Sequence, residues 1–560
     1  MNPLASPKCA SRVLMALAAI SGIIFAAGCG SSSSTSTTNP GGFSDSSLTG
    51  TYVISISGTD VNTTTNEVVP FAIVGTITAD GKGGLTGTID INDPYNIGVK
   101  LGQSVSSSSG YQVGQDGRGT GTLVTPVGNF NLDFVLTSSN HGLISRFDDN
   151  GNDIGTGSGT IDMQTSPTPT PTGSFAFSLS GVDSGGNSLG TVGAFTINST
   201  SIAGTEDFND DATSGPGYTG LTLTGQLVAS TSGPGTAQFN TPVVSTSLDS
   251  LNFDVWVIDS THLKFIETDT AGPYLSGDAF TQMTSLSAGQ LVFVLSGMDG
   301  TQEPVVAGGY ATVTDANGDL SNGVEDYNDN GTVGLGKPFS TSAATCVAST
   351  GRCQLTLNGF SNGTSEPFTF AVYPSSGGGG LALEIDSFGL LQGASYSQSA
   401  TAFTPSGGYG LNLTGVNNLN PNLEAGAWGE VDDIAQFNAG STASPAVNMT
   451  GTLDENDIGD LAPTSSLNGT YTPDTNGDGR GSITAPTTGT FKTLLGGFTL
   501  QYYVVDSSTV VFIDVDSTAL DGGAAQVAVG TFEAQSSSSS AAAVPMVRPM
   551  VRPHAALQRK

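Results

Sequence analysis

One short segment occurs four times in this chain, and it limits the fold more than any other feature. "TYVISISGTD" (51–60), "SFAFSLSGVD" (174–183), "QLVFVLSGMD" (290–299) and "GYGLNLTGVN" (408–417) are versions of one strand. Two, four and six residues before the shared Gly58, Gly181, Gly297 and Gly415 stand Ile56, Ile54, Tyr52; Leu179, Phe177, Phe175; Leu295, Phe293, Leu291; and Leu413, Leu411, Tyr409. Apolar residues at every second position, with mostly small or polar ones between, predict a strand with one buried face. The glycines lie 123, 116 and 118 residues apart. A solenoid rung spans only about 20 to 50 residues, so each unit here is expected to own a core.

Within the first unit, "FAIVGTITA", "GLTGTIDIN", "GYQVGQ", "GTGTLVT", "FNLDFVLTS", "GLISRFD" and "GSGTIDMQ" follow as further strands, with compact turns such as "DGKGG", "QDGRG" and "SSNHG" at several joins. Charged residues are only 11% of the chain and glycines number 78, which suits many short strands and tight turns. The expected fold is all-β: four tandem antiparallel domains, each an eight-stranded meander closed into a barrel so that no edge is exposed. An immunoglobulin-like β-sandwich is the alternative, because the joins near 92–109 and 209–220 are long enough to carry the chain between two sheets. The units are placed at 48–165, 173–285, 286–402 and 403–535. Residues 166–172, within "SPTPTPTG", form a stiff Pro-Thr linker, and 536–560 form a disordered basic tail carrying Arg548, Arg552, Arg559 and Lys560.

Residues 1–28 form an address. Lys8 and Arg12 precede the apolar run "VLMALAAISGIIFAA", which is short for a membrane span, and small residues lead into Cys29. The stretch Ala26-Ala27-Gly28-Cys29 resembles the lipobox of bacterial lipoproteins, although Ala26 replaces the usual leucine. The resemblance implies cleavage before Cys29, acylation of that cysteine, and membrane anchoring through it. Gly30 lacks the aspartate that retains many such lipoproteins at the inner membrane, so the resemblance points to the outer membrane or cell surface. Residues 29–47 are a Gly/Ser/Thr-rich tether. The repeat architecture also resembles the tandem β-repeat lipoproteins of bacterial surfaces, a likeness that brings no site residues with it. Cys346 and Cys353, in "CVASTGRC", would face an oxidising compartment and are expected to form a local disulfide.

The formal charge of -33 disfavours nucleic acid as a partner, since phosphate binding needs a basic patch. It is read as a solvated acidic surface. The stretch "YTPDTNGDGRGSITAP" (471–486) places Asp474, Asn476 and Asp478 like the start of a calcium loop, but Ala485 stands where the closing glutamate belongs. A glycine-bearing turn is the better reading, shared with "GQDGRGTGTL", "STSGPGTAQF" and "ASTGRCQLTL" in the other units. The stronger calcium pattern is Asp90, Asn92, Asp93; Asp207, Asn209, Asp210; and Asp326, Asn328, Asp329, at the ends of third strands. Hard oxygens beside a turn suit calcium, whereas Asp and Asn also end strands by bonding their own backbone. The fourth unit departs, since "GEVDDIA" keeps Asp432 but loses the Asn-Asp pair.

Asp148, Asp269, Asp386 and Asp516 recur seven residues after His141, His262, Gly379 and Thr509, so the histidines hold a turn position rather than that of a repeated general base. Trp256, in "LNFDVWVID", is expected in a core, and Trp428 is the other tryptophan. No catalytic residues and no cofactor are assigned. The reading is a lipid-anchored envelope protein with a structural, adhesive or binding role toward a surface partner, and no catalysis. Small-ligand binding inside the barrels and glycan hydrolysis by a carboxylate pair are the alternatives.

Overall fold

The computed structural model describes residues 42–62, 64–65, 68–149, 154–210, 216–231, 233–242, 248–360, 367–404, 407–418, 428–441, 448–485, 498–516 and 526–536. Cys29, the leader and the basic tail lie outside them. The described chain is all-β, apart from one 3-10 turn at Asp45–Ser47. The first unit comprises β1 (Thr49–Val61), β2 (Val68–Asp80), β3 (Leu85–Asp93), β4 (Gly98–Val105), β5 (Gly110–Val113), β6 (Arg118–Thr125), β7 (Gly128–Leu136), β8 (His141–Asp149) and β9 (Ile154–Met163). Three closed eight-stranded barrels follow: β10 (Gly173–Val182) to β17 (Tyr274–Thr281), β18 (Gly289–Asp299) to β25 (Gly389–Ser397), and β26 (Gly408–Asn417) to β33 (Gln526–Ala534). Every pairing is antiparallel, and the first strand of each unit pairs with its last. No unit is a two-sheet sandwich.

The first unit is a nine-stranded curled sheet ordered β4-β3-β2-β1-β9-β8-β7-β6-β5. Its β4 and β5 stand where the other units have one long fourth strand: β13 (Tyr218–Val228), β21 (Thr332–Val347) and β29 (Asp460–Pro473). The polar run "SSSS" interrupts that strand, and backbone bonds from Leu85 N–H to Ser109 O and from Ser106 N–H to Val124 O span the break. The join expected over 92–109 thus contains a strand, β4. Its pattern "GVKLGQSV" carries little signal because Val105 alone is buried and the rest is half-buried or exposed.

The repeated strand explains both the cores and the closure. Its alternate residues fill the interior clusters of all four units, from Tyr52, Ile54 and Ile56 in the first to Tyr409, Leu411 and Leu413 in the fourth. The shared glycine continues that inward row, where the first strand crosses the last. A methyl group at Gly58, Gly181 or Gly297 would lie 2.2, 1.9 or 1.7 Å from the carbonyl oxygen of Thr156, Tyr274 or Leu390. At Gly415 it would meet the Ala528 Cβ at 2.3 Å. Only glycine lets the two strands approach closely enough to pair.

The units do not hang as separate beads. The first three strands of each pack against the last three of the next, and the fourth unit meets the first in the same way. The outer walls of units two, three and four merge into one apolar cluster containing Val192, Val294, Tyr373, Ile513 and Val529, against which Trp428 packs. Val53, Val74, Trp256 and Ile266 join unit one to two, and Val135, Leu143 and Ile434 join four to one. Trp256 is fully buried as expected, but between units rather than inside a barrel. A head-to-tail contact repeated with closure makes a ring.

Candidate functional site

The residues that recur in the sequence converge on these four joints. In each unit the register of the third strand against the fourth shifts at one aspartate: Asp90, Asp207, Asp326 and Asp454. Such a bulge re-aims the side chain it carries. One oxygen of each aspartate accepts a backbone N–H across the bulge, from Gly102 (2.5 Å), Gly220 (2.8 Å), Gly336 (2.7 Å) and Thr464 (2.6 Å). Those four donors have φ of +62, +60, +64 and +59°, a conformation that favours glycine and makes Thr464 the strained exception.

The same aspartates then reach into the next unit. Asp207 takes Arg352 through Nη2 (2.7 Å) and Nε (2.8 Å), and the Tyr373 hydroxyl at 2.5 Å. Asp326 repeats this with Arg480 Nη2 (2.7 Å), Arg480 Nε (2.8 Å) and the Tyr503 hydroxyl (2.6 Å). Asp454 closes the ring through an ion pair to Arg118 of the first unit. The three arginines occupy one place, immediately after the glycine of the turn between fourth and fifth strands. The calcium-like stretch 471–486 is that turn. Asp478 Oδ1 accepts the Arg480 N–H, and Asp474 Oδ2 binds Arg480 Nη1 at 2.8 Å.

The asparagine two residues on makes a second clasp in every joint. Asn92 donates to Glu267 O, Asn209 to Glu384 O and Gly389 O, Asn328 to Asp514 O, Asp516 O and Gln526 O, and Asn456 to Arg146 O and Gly155 O. The fourth copy corrects the sequence reading. The matching strand is β28 (Met449–Asp457), so the motif is Asp454, Asn456, Asp457, and Asp432 belongs to the strand before it. The third residue of each trio turns away from the joint in unit one, where Asp93 accepts the Ile97 N–H. Each trio is therefore spread along a strand, and among the described residues no three His, Cys, Asp or Glu side chains are placed to hold one metal ion.

A third clasp was not singled out in the sequence. Gln164, Gln282, Gln398 and Gln535 directly follow the last strands, and each donates to a carbonyl of the next unit: Val257, Thr350, Asp478 with Val504, and Asp116 with Leu136. The other recurrent acids stay at home. Asp148, Asp269, Asp386 and Asp516 each accept the backbone N–H seventeen residues earlier, at Asn131, Asn252, Thr369 and Thr499. Cys346 and Cys353 are directly opposed on β21 and its neighbour and are joined as a disulfide.

Both strand histidines are buried against carboxylates. Glu533 of unit four lies 3.2 Å from His141, which is 2.7 Å from Asp162; Lys264 of unit two lies 3.4 Å from Asp162 and 2.8 Å from Asp278, which holds His262 at 2.7 Å. This chain of alternating charge ties three units together. Burial would lower the His141 pKa, but Glu533 and Asp162 outweigh it and hold it at about 10. Burial would likewise raise Asp162, but Lys264 and His141 hold it well below the usual carboxylate range. At least 21 of the 48 acidic residues are buried, which corrects the reading of the net charge as a solvated surface. Ring closure turns outer walls into interior.

Two of the cavities among the described residues are small. One of about 70 Å³ lies where units one, two and four meet, lined by Ser57, Asn92, Ser158, Ser180, Thr414 and Glu430 among others. The other, about 50 Å³, lies inside the third unit among Leu291, Phe293, Leu355, Phe360 and Phe370.

No protein-family model and no curated protein matches this chain. Among solved structures it is similar to a double mutant of the vaccine antigen Transferrin Binding Protein B from Haemophilus parasuis, at 9% identity and a TM-score of 0.21, over 71% of this chain and 84% of that one. It is also similar to isotype 1 of Transferrin binding protein B from serogroup B Neisseria meningitidis, at 10% identity and a TM-score of 0.19, over 71% and 84%. At these scores the likeness carries no argument about the joints or their partners.

Two outcomes follow from the joints. Asp326→Ala strands the Tyr503 hydroxyl and leaves Arg480 only its Asp474 contact, and should lower unfolding free energy in urea by about 3 kcal/mol. The double variant Asp326→Leu with Arg480→Met should lose much less, because no buried charge is left alone. The second concerns pH. Burial lifts Asp90 and Asp93 to about 8, and Asp133, Glu206 and Asp329 to about 7. These acids and His141 bind protons more tightly folded than unfolded, so their stability contribution is complete at low pH and is lost as pH rises through the folded values. The melting temperature should fall steadily from pH 5 to pH 9, and a rise over that range would contradict these assignments.

Proposed function

We propose that this protein is a lipid-anchored envelope protein whose four units act as one rigid, non-catalytic scaffold. Cys29 holds it to the membrane, and the loops at the rims of the ring meet a surface partner. The observation that carries this reading is the joint: the same aspartate bulge, asparagine clasp and glutamine clasp recur at every interface and close the chain on itself. Separate barrels on flexible linkers would reach and adapt, whereas a closed ring presents its loops in fixed relative positions and saves the entropy of ordering them on binding. The interiors support the same reading. They are packed with aromatic and aliphatic side chains, and the apolar cavity in the third unit has room for only a few heavy atoms.

Metabolic labelling with a palmitate analogue in a two-membrane bacterium tests the anchor. The wild-type protein should carry label and sediment with outer membranes, while Cys29→Ala should lose the label and appear in the soluble fraction. An unlabelled wild type, or a Cys29→Ala variant still held in the membrane, would overturn the anchored reading.

A further inference from the structure

Three joints place a protein cation on the bulge aspartate, and the first joint does not. Where Arg118, Arg352 and Arg480 follow the turn glycine, unit two has Pro234 after Gly233. Asp90 nonetheless sits at the same bulge, fully buried, with Oδ1 accepting the Gly102 N–H at 2.5 Å. Its Oδ2, the oxygen that takes the arginine Nε and the tyrosine hydroxyl in the second and third joints, has no N–H or hydroxyl partner among the described residues. In place of the guanidinium, a second carboxyl from unit two, Asp254, lies against Asp90. Trp256 takes the position of Tyr373 and Tyr503, and its indole N–H, a donor only, also lacks a partner. Lys264 is the nearby lysine of this joint, but its ammonium is occupied by Thr160, Asp162 and Asp278.

We infer that the first joint binds an exogenous hard cation of the calcium class between Asp90 and Asp254, in the place that the other joints fill with an arginine. Two acids pressed together at a buried interface repel unless positive charge lies between them. Carboxylate oxygens are the ligands calcium prefers, with waters completing its shell. Asp254 is only partly buried and provides the entry side. The site differs from a calcium loop along one strand: its two carboxylates come from different units, so the cation acts as a clamp between them. Asp207 and Asp326, the equivalents, are already neutralised by arginine and bind no cation.

The test uses the whole protein at pH 8.5, where a proton shared by the two acids competes least. Calcium chloride is titrated by calorimetry and melting is followed in parallel, with sodium chloride matching ionic strength. The inference expects a saturable site that raises the melting temperature, with affinity at least tenfold weaker in Asp254→Asn. Pro234→Arg supplies the missing guanidinium, and should melt higher without calcium while losing the calcium response. Asp460→Asn, at an exposed acid of the fourth unit, should leave the site intact. No saturable binding at 10 mM calcium, or equal binding in Asp254→Asn, would overturn it. So would a melting temperature that follows pH identically with and without calcium, which would assign a shared proton to the pair. Should Pro234→Arg not fold, Asp254→Asn decides alone.

Discussion

The bulge aspartate is the interaction on which the rest of this structure depends. In the second and third joints its Oδ1 accepts both the backbone N–H that pins the bulge and the Nη2 of the next unit's arginine, while Oδ2 takes that arginine's Nε and a tyrosine hydroxyl. A bulge in an isolated barrel would be a local irregularity. Here it turns a carboxylate outward at the spot where a neighbour offers an arginine. Because each unit carries both the aspartate on one side and the turn on the other, a single surface pair generates head-to-tail contacts, and four of them close. The asparagine and glutamine clasps act at the same interface through neutral bonds, so their geometry is present even at the joint that has no arginine.

Closure changes the meaning of the composition. A chain with 48 acidic and 15 basic residues would be expected to spread negative charge over its surface. Instead many acids lie at joints and barrel ends, and the few basic residues are spent there: Arg118, Arg352, Arg480, Lys264, and Arg146, which is wholly buried between Asp60 and Asp148 and stacked over the rings of Phe71 and Phe130. Removing one member of such a pair costs more than the pair itself contributes, because the survivor remains buried. The ring is thus cooperative by construction, and also not symmetric. Its first joint combines Pro234, the acid pair and the Lys264 chain, and the longest expected linker, 166–172, spans that same joint.

Much of the fold was legible in the sequence, because the barrel cores depend on a two-residue period that repeats at four places. The glycine that ends that strand was visible as a repeat, although its cause, the crossing of first and last strands, needs the closed sheet. The joints were legible only in part. Asp90, Asp207 and Asp326 stood out as recurrent acids, yet a third-strand acid looks the same whether it will meet calcium, its own backbone or an arginine far away in sequence. Asp454 was missed because aligning the fourth unit by "GEVDDIA" put the motif one strand early. The signal that would have found it is "GTLDEND" beside "GTIDIND". Arg118, Arg352 and Arg480 stand inside the compared turns, but Pro234 takes that place in the second unit, so only the preceding glycine recurs in all four. Gln164, Gln282, Gln398 and Gln535 carry little sequence signal, since a polar residue after a strand is ordinary.

Closure of the fourth joint is the claim that most needs a direct measurement, because no linker enforces contact between the last unit and the first. Spin labels at the exposed positions Lys82 of the first unit and Asp460 of the fourth, read by pulsed dipolar spectroscopy, would report it. The ring predicts one narrow distance distribution that broadens on Asp454→Ala. A broad distribution in the unaltered protein would mean that the ends are free, and would contradict the closed ring.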